Sequence, residues 1–357
     1  RAPALDRDRP SSEDDALALN VAALPGPWLA GALEEGRRAL WVADDRVVGA
    51  RASYRELAPG LGRGPAFEAF LRELDLPVIA IEARLLRWPW QIVEWSPGAL
   101  ADDLAMARPE KAGEVHRLAA LEAPERVSIA AGARVDAYAV LDARAGPIRL
   151  GPRVVVASHT LVCGPCEVGE GSELLGGVIG RSTFGPECRV AGEVDSSIWQ
   201  GYANKRHHGF VGHSVVGEWA NLGALTTTSD LKNTYGEVRV WAGGRERATG
   251  YHKIGAFIGA HVKTGIGTLL PTGASIGTGS NLFGGGRFAP KRVPAFTWWD
   301  GERAVEHRFD RFLETARIAT SRRGRPLDPG EQQALEALFA ATRGERLAPR
   351  SAPAASA

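Results

Sequence analysis

Methionine, cysteine and lysine are scarce in this chain. Its 357 residues include one methionine, Met106, three cysteines, and six lysines against 37 arginines. Three cysteines fit a reducing compartment better than a disulfide framework. Charge of one sign is also lacking: Lys+Arg is 43 and Asp+Glu is 42. No electrostatic footprint for nucleic acid or an anionic membrane follows from that balance. No apolar run approaches the roughly 18 residues needed to span a bilayer, and no secretory apolar segment opens the sequence. The expectation is a cytoplasmic protein with neither nucleic acid nor membrane as partner. The chain opens on Arg1 and its sole methionine is internal, so the reading places the natural start upstream. Five of the six lysines fall between Lys205 and Lys291, a clustering that an arginine-rich composition does not explain.

Residues 1–105 read as a partial α/β segment. "WLAGALEEGRRALWVADDRVVGARAS" gives a short helix, then two strands around an "ADD" turn. "AFEAFLREL" is helical and "PVIAIEA" reads as a buried strand. Asp44 and Asp45 form a turn rather than a metal-binding pair. A helix follows "RWPWQIVEW", and residues 106–126 read as a linker.

From Val127 helix formers thin out and a period of six appears. Ile129, Val135 and Leu141 share one frame. Leu150, Val156, Val162, Val168 and Leu174 share a second. Ile198, Phe210, Val216, Leu222 and Thr228 fall on a third, and Ile258, Thr264, Leu270, Ile276 and Leu282 on a fourth. A hexapeptide period is the signature of a parallel β-helix, in which three hexads, roughly 18 residues, close one triangular coil. The frame residue points into the prism, and such prisms are left-handed, against the usual crossover rule. A β-sandwich would not produce four blocks at this spacing. The fold class expected is therefore mainly β: a left-handed parallel β-helix over residues 127–283, interrupted between Leu231 and Tyr251.

Residues 284–357 read as an extended strap, two helices and a disordered tail, "APRSAPAASA". Phe309, Phe312, Leu313 and Ala316 form an apolar stripe suited to packing on the prism end. Asp328 is the expected N-cap of the last helix, with Pro329 and Glu331 behind it. Cys163 and Cys166 form C-x-x-C without a second pair to complete a zinc site. No metal site is expected there.

The chemistry concentrates in "GEVDSSIWQGYANKRHHGFVGHSVVGEWANLGALTTTSDLKNTYGEV". His207 lies three residues before Phe210, half a hexad from an inward position, and so belongs outside the core. Glu193 precedes it by 14 residues, close to one coil. A carboxylate one coil away can fix the tautomer of an imidazole and raise its basicity. A nucleophile attacking a thioester needs such a base and donors for the oxyanion.

This stretch resembles the acetyltransferase half of bifunctional N-acetylglucosamine-1-phosphate uridyltransferase/glucosamine-1-phosphate acetyltransferase. It is similar above all to the sugar nucleotidyltransferases related to that enzyme, through "GEV", "GYANKRH", "GF.G", "GEWANLGA" and "LKNTY". The first 105 residues resemble the end of the family's nucleotidyltransferase domain. The resemblance implies that His207 is the general base and Glu193 its partner. It places Asn221 near the sugar and the thioester, and Thr278 in "IGTGSNL", together with Ala260, beside coenzyme A. Asn204, Lys205, Lys232, Asn233 and Tyr235 are the other candidate substrate contacts. The sequence departs from the pattern where Asp195 replaces a lysine, "SDLKN" replaces "CNYDG", and His208 replaces an aspartate.

What the resemblance implies is an acetyl-CoA-dependent acyltransferase acting on an amino sugar phosphate or sugar nucleotide, assembled as a homotrimer. Two alternatives stay open. One is sugar-1-phosphate nucleotidyl transfer, with Mg²⁺, by the N-terminal domain. The other is an inactive trimeric scaffold or sensor.

Overall fold

The structure, a computed structural model, describes residues 14–34, 36–106 and 108–347. The "APRSAPAASA" tail lies outside the described residues. The chain divides into two compact units between Gln91 and Ile92.

The first unit holds a four-stranded sheet in the order Asp15–Leu19, Arg46–Ser53, Ala39–Ala43, Val78–Ala80. The two central strands form a hairpin whose two-residue turn, Asp44-Asp45, has φ values of 48° and 59°. Positive φ at both positions is what a tight hairpin needs to match strand twist, and Asp tolerates it. Alternation along Arg46–Ser53 sends Val47 toward one apolar cluster, with Leu40 and Leu71, and Val48 toward another, with Trp41 and Leu85. Helices run over Pro27–Glu34 and Phe67–Glu73; the helix expected after "RWPWQIVEW" begins within that stretch and runs over Pro89–Met106. The strand expected to be buried in "PVIAIEA" needs correction. Only Val78–Ala80 pairs, at the sheet edge, with Val78 67% exposed. An apolar run does not reveal that its second neighbour is missing.

The second unit is dominated by a parallel β-helix. One of its faces is a nine-stranded sheet from Val127–Ile129 to Arg292–Val293, and each strand pairs in parallel with the one below. The inward stack on that face is Ile129, Leu150, Val168, Phe184, Trp199, Val216, Ile258, Ile276 and Val293, all buried in one continuous core. Val135, Val156, Leu174, Val190 and Leu222 stack likewise on the second face, and Leu141, Val162, Ile179 and Val211 on the third. Register makes this compulsory: in-line pairing places inward residue over inward residue, and the coils bury a shared column.

Two expectations need correction. In the third block Ile198 and Phe210 lie outside the core and their neighbours Trp199 and Val211 fill it. The inward series there is Trp199, Lys205 and Val211, followed by a five-residue step to Val216. Paired apolar residues at 198–199 and 210–211 hide this phase. The prism also extends past the hexapeptide frame at both ends. Glu114–Val115 and Ala120–Glu122, in the stretch read as a linker, already pair in parallel with the next coil. Thr297–Trp299, in the stretch read as a strap, pairs with Asn281–Leu282.

The interruption after Thr228 carries an antiparallel hairpin, Arg239–Ala242 with Arg245–Ala248. After the last rung the chain reverses. Ala304–Glu306 pairs antiparallel with Thr297–Trp299, and helix Phe309–Ser321 buries Phe312, Leu313 and Ala316 against Ala295 and Phe296. Asp328 caps helix Pro329–Ala341 by accepting from the Glu331 amide at 2.9 Å, and the Glu331 side chain reaches back to the Asp328 amide.

Corners turn through residues at positive φ, and one of them is beside the histidine pair. Gly209 has φ +135°, and an added Cβ would sit 2.2 Å from the Thr226 carbonyl oxygen. Gly209→Ala therefore combines strain with a backbone clash. It is expected to lower stability by about 3 kcal/mol, above the ~1 kcal/mol typical of point changes. Gly236→Ala, whose added Cβ meets only the Thr234 hydroxyl at 3.5 Å, is expected to cost much less. Thermal melts of the two variants check this.

Candidate active site

Two successive coils between Arg189 and Val216 carry the candidate chemistry. Arg189–Asp195 bends across two faces, with Val190 and Val194 inward and Gly192 at φ +90° between them. The next coil repeats this with Asn204–Lys205 and Phe210–Gly212, joined by the corner that holds Arg206, His207 and His208. All three corner side chains are exposed. Glu193 is exposed as well, and its partner in the ladder is Phe210, three residues beyond His207. Among the described residues, neither the His207 imidazole nor the Glu193 carboxylate has a side-chain partner. The structure does not join them within one chain.

Lys205 is not where a substrate contact must be. It occupies an inward position, fully buried, in the stack above Val190. Its Nζ donates to the carbonyl oxygens of Ala191 at 2.9 Å and His207 at 2.8 Å. A hexad frame one residue out of phase made it look external. Its actual place ties the His207 corner to the coil below from inside. Burial pushes its pKa down from the usual 10.5 to about 8.

Asn204 and Asn221 stand on successive rungs, pointing outward, and meet: Asn204 Nδ2 donates to Asn221 Oδ1 at 2.8 Å. Ala260 and Thr278 stack on successive coils of another corner, where the Gly279 amide donates to the Ala260 carbonyl at 2.9 Å. Both are half-buried. Lys232, Asn233 and Tyr235 belong to the interruption. The Lys232 amine donates to the Glu237 carbonyl, and Tyr235 is 72% exposed. Asp195, at the position where the resemblance calls for lysine, is paired by Arg181, whose Nε lies at 2.8 Å.

One pair escaped sequence reasoning. His213 Nδ1 lies 2.8 Å from Asp230 Oδ2, with both side chains largely buried. This hydrogen bond and the charge of the pair hold Asp230 below the usual carboxylate range despite its burial. The separation of 17 residues, about one coil, was the available signal. Cys166 and Cys188 are buried, which pushes both thiols up to about 12 and makes them unreactive. Cys163 is half-buried. Among the described residues no three His, Cys, Asp or Glu side chains gather into a metal site, and no helix is long and apolar enough to cross a membrane.

No family model matches the chain. A bifunctional sugar-1-phosphate nucleotidylyltransferase/acetyltransferase from Sulfurisphaera tokodaii is 37% identical over 93 residues, which make up 26% of this chain and 23% of that protein. The chain is similar to bifunctional nucleotidylyltransferase/acetyltransferases. A bifunctional protein GlmU from Methanococcus vannielii is 28% identical over 131 residues, 37% of this chain and 27% of that protein. The chain thus matches about a quarter of the length of these curated relatives. Among solved structures, an Arabidopsis UDP-N-acetylglucosamine acyltransferase is 13% identical with a TM-score of 0.26, over 69% of this chain and 85% of that one. A likeness this low carries no functional argument.

The buried amine makes stability depend on pH. Below about 8 the folded and unfolded chains both carry the Lys205 charge, and the folded state bears its burial. Between about 8 and 10.5 the folded chain has released that proton and the unfolded chain still holds it. Unfolding then takes up a proton, so this group's contribution to stability rises with pH across that window. Lys205→Met should remove the rise. Denaturant titrations of both proteins at pH 7, 9 and 10.5 measure it. Parallel pH profiles would exclude Lys205 as the source.

Proposed function

We propose that this chain is an acyltransferase that moves an acetyl group from acetyl-CoA to an amino sugar phosphate or sugar nucleotide, with His207 as general base. The observation that carries the reading is an exposed imidazole at a β-helix corner with no side-chain partner among the described residues, in a chain similar to acetyltransferases. A protonated amine cannot attack a thioester. The imidazole takes the proton as nitrogen bonds to the thioester carbonyl carbon, and the oxyanion collapses to expel the coenzyme A thiolate. That proton, or one from water, then converts the thiolate to the thiol. Asn221 and Asn204 offer amide groups to the acceptor, and Ala260 and Thr278 line the corner offered to the donor.

Neither His207 nor Glu193 is closed off by its own chain, so a neighbouring subunit is the natural second wall. We infer a homotrimer with prism axes side by side. Light scattering at micromolar concentration is expected to return three times the mass of the chain, and a monomer there would leave the site without its wall.

A second reading rests on the His213–Asp230 pair, which is already hydrogen-bonded as a base and its orienting carboxylate are in other enzymes. Thiol release from acetyl-CoA, measured with an amino sugar phosphate, separates the two. His207→Ala is expected to lower kcat by roughly 10²–10⁴, the usual share of a general base. Glu193→Gln should lose less and His208→Ala almost nothing. Loss of turnover in His213→Ala with retention in His207→Ala moves the base to the second corner.

A further inference from the structure

A cavity of about 680 Å³ opens between the second face of the prism and helix Phe309–Ser321. Its size falls within the ~300–1,000 Å³ range of small-molecule sites. The floor is a ladder of outward side chains on consecutive rungs: Arg189, Asn204, Asn221 and Lys263. The wall is the helix stripe Thr315, Ile318, Ala319 and Arg322, spaced to share one face.

Charge in this cavity is one-sided. Arg189, Arg206, Lys263, Arg322 and Arg323 all line it. Among the described residues two carboxylates pair with them. Glu173 pairs with Arg189 at 2.9 Å and reaches Arg206 at 3.5 Å. Glu187 lies 3.6 Å from Arg323 and 4.0 Å from Arg189. Lys263 and Arg322 have no carboxylate partner among the described residues. Lys263 is also withdrawn from water, and burial lowers its pKa. An ammonium in that position is costly unless an anion joins it. Two residues before it, His261 is held neutral, its pKa pushed down to about 4 by burial and by Lys263 itself, so it adds no second cation beside the ammonium.

The amide pair adds direction. With one N–H of Asn204 Nδ2 given to Asn221 Oδ1, the Asn221 Nδ2 group as donor and Asn204 Oδ1 as acceptor remain without a partner among the described residues. A donor and an acceptor side by side suit a hydroxyl, which is both. Cations beyond the pair suit a phosphoryl oxygen, which the arginine fork and the lysine point charge both bind.

We propose that this cavity is a binding site for a phosphoryl ester carried on a sugar ring, with the phosphoryl group at Lys263 and Arg322 and ring hydroxyls at Asn204 and Asn221. This rests on the reading of Asn204 and Asn221 as acceptor contacts and adds to it the place of the phosphoryl group; binding is measured apart from thiol release, so failure of either leaves the other to be judged by its own assay. Two sources share the chemistry: a sugar phosphate or sugar nucleotide, and the phosphorylated ribose of coenzyme A.

Calorimetric titration of the full chain with glucose 1-phosphate, glucose, inorganic phosphate and coenzyme A tests it. Glucose 1-phosphate or coenzyme A should bind more tightly than inorganic phosphate, and glucose should not register. Which of the two binds identifies the source. Lys263→Met and Arg322→Ala should each weaken binding by about tenfold or more, the loss of one charge-assisted contact. Arg322 is exposed at the end of its helix, so its variant remains informative if Lys263→Met fails to fold. His207→Ala should bind as the unaltered protein does, even if it is inactive. Equal binding by Arg322→Ala and the unaltered chain, or no binding of any phosphorylated probe at millimolar concentration, overturns the proposal.

Discussion

Each coil of this protein must come back to the same place one strand spacing further along the axis. Backbone hydrogen bonds from coil to coil enforce that return, and nearly everything else follows from it. In-line register puts Ile129 under Leu150 and Leu150 under Val168, so one small set of residues per coil builds the whole core. The outside obeys the same rule. Arg189, Asn204, Asn221 and Lys263 form a line because their inward neighbours do. A β-helix thus turns a repeat in sequence into parallel columns of like position, and a column of polar groups is a ready-made binding strip.

The column principle also explains how a cation came to lie in the core. At most rungs the inward residue is aliphatic or aromatic; at one it is Lys205. Its stem fills the space an aliphatic side chain would fill, and its amine meets carbonyl oxygens that corner geometry leaves free of ladder partners. The same stretch of interior is polar above it as well. Thr226 and Thr264 share a hydrogen bond at 2.7 Å, and the Thr228 hydroxyl lies 3.2 Å from the Gly212 amide, where no ladder bond joins the two strands. The core is least oily beside the corner that presents His207, because irregular backbone there needs side-chain partners that hydrocarbon cannot provide.

The architecture was legible because a period of six survives without any knowledge of partners. Val135, Val156, Val162, Val216, Leu222, Ile258 and Ile276 all point inward as their spacing requires. Phase was harder. Where two apolar residues adjoin, as at Ile198–Trp199 and Phe210–Val211, either can be the inward one, and only the coil below decides. That one-residue shift turned Lys205 from an apparent surface contact into a core residue. Single-residue chemistry was readable only where a motif carried it: His207 and Asn221 stood out, but His213 and Asp230 did not. Their pairing arises from coil length, which the sequence states only to within a residue or two. The cavity under helix Phe309–Ser321 was not legible at all. Its cations come from segments more than a hundred residues apart, brought together by the way the chain folds back.

That fold-back has a consequence for assembly. A parallel stack has no intrinsic length: its last rung offers the same free backbone groups as every rung beneath it, and another chain could continue the series. Here the final rung, Thr297–Trp299, meets Ala304–Glu306 running the opposite way, and a helix then covers Phe296. A strand of reversed polarity cannot be extended as a coil. It acts as a chain terminator, fixing the prism as an object of finite height rather than the seed of a fibre.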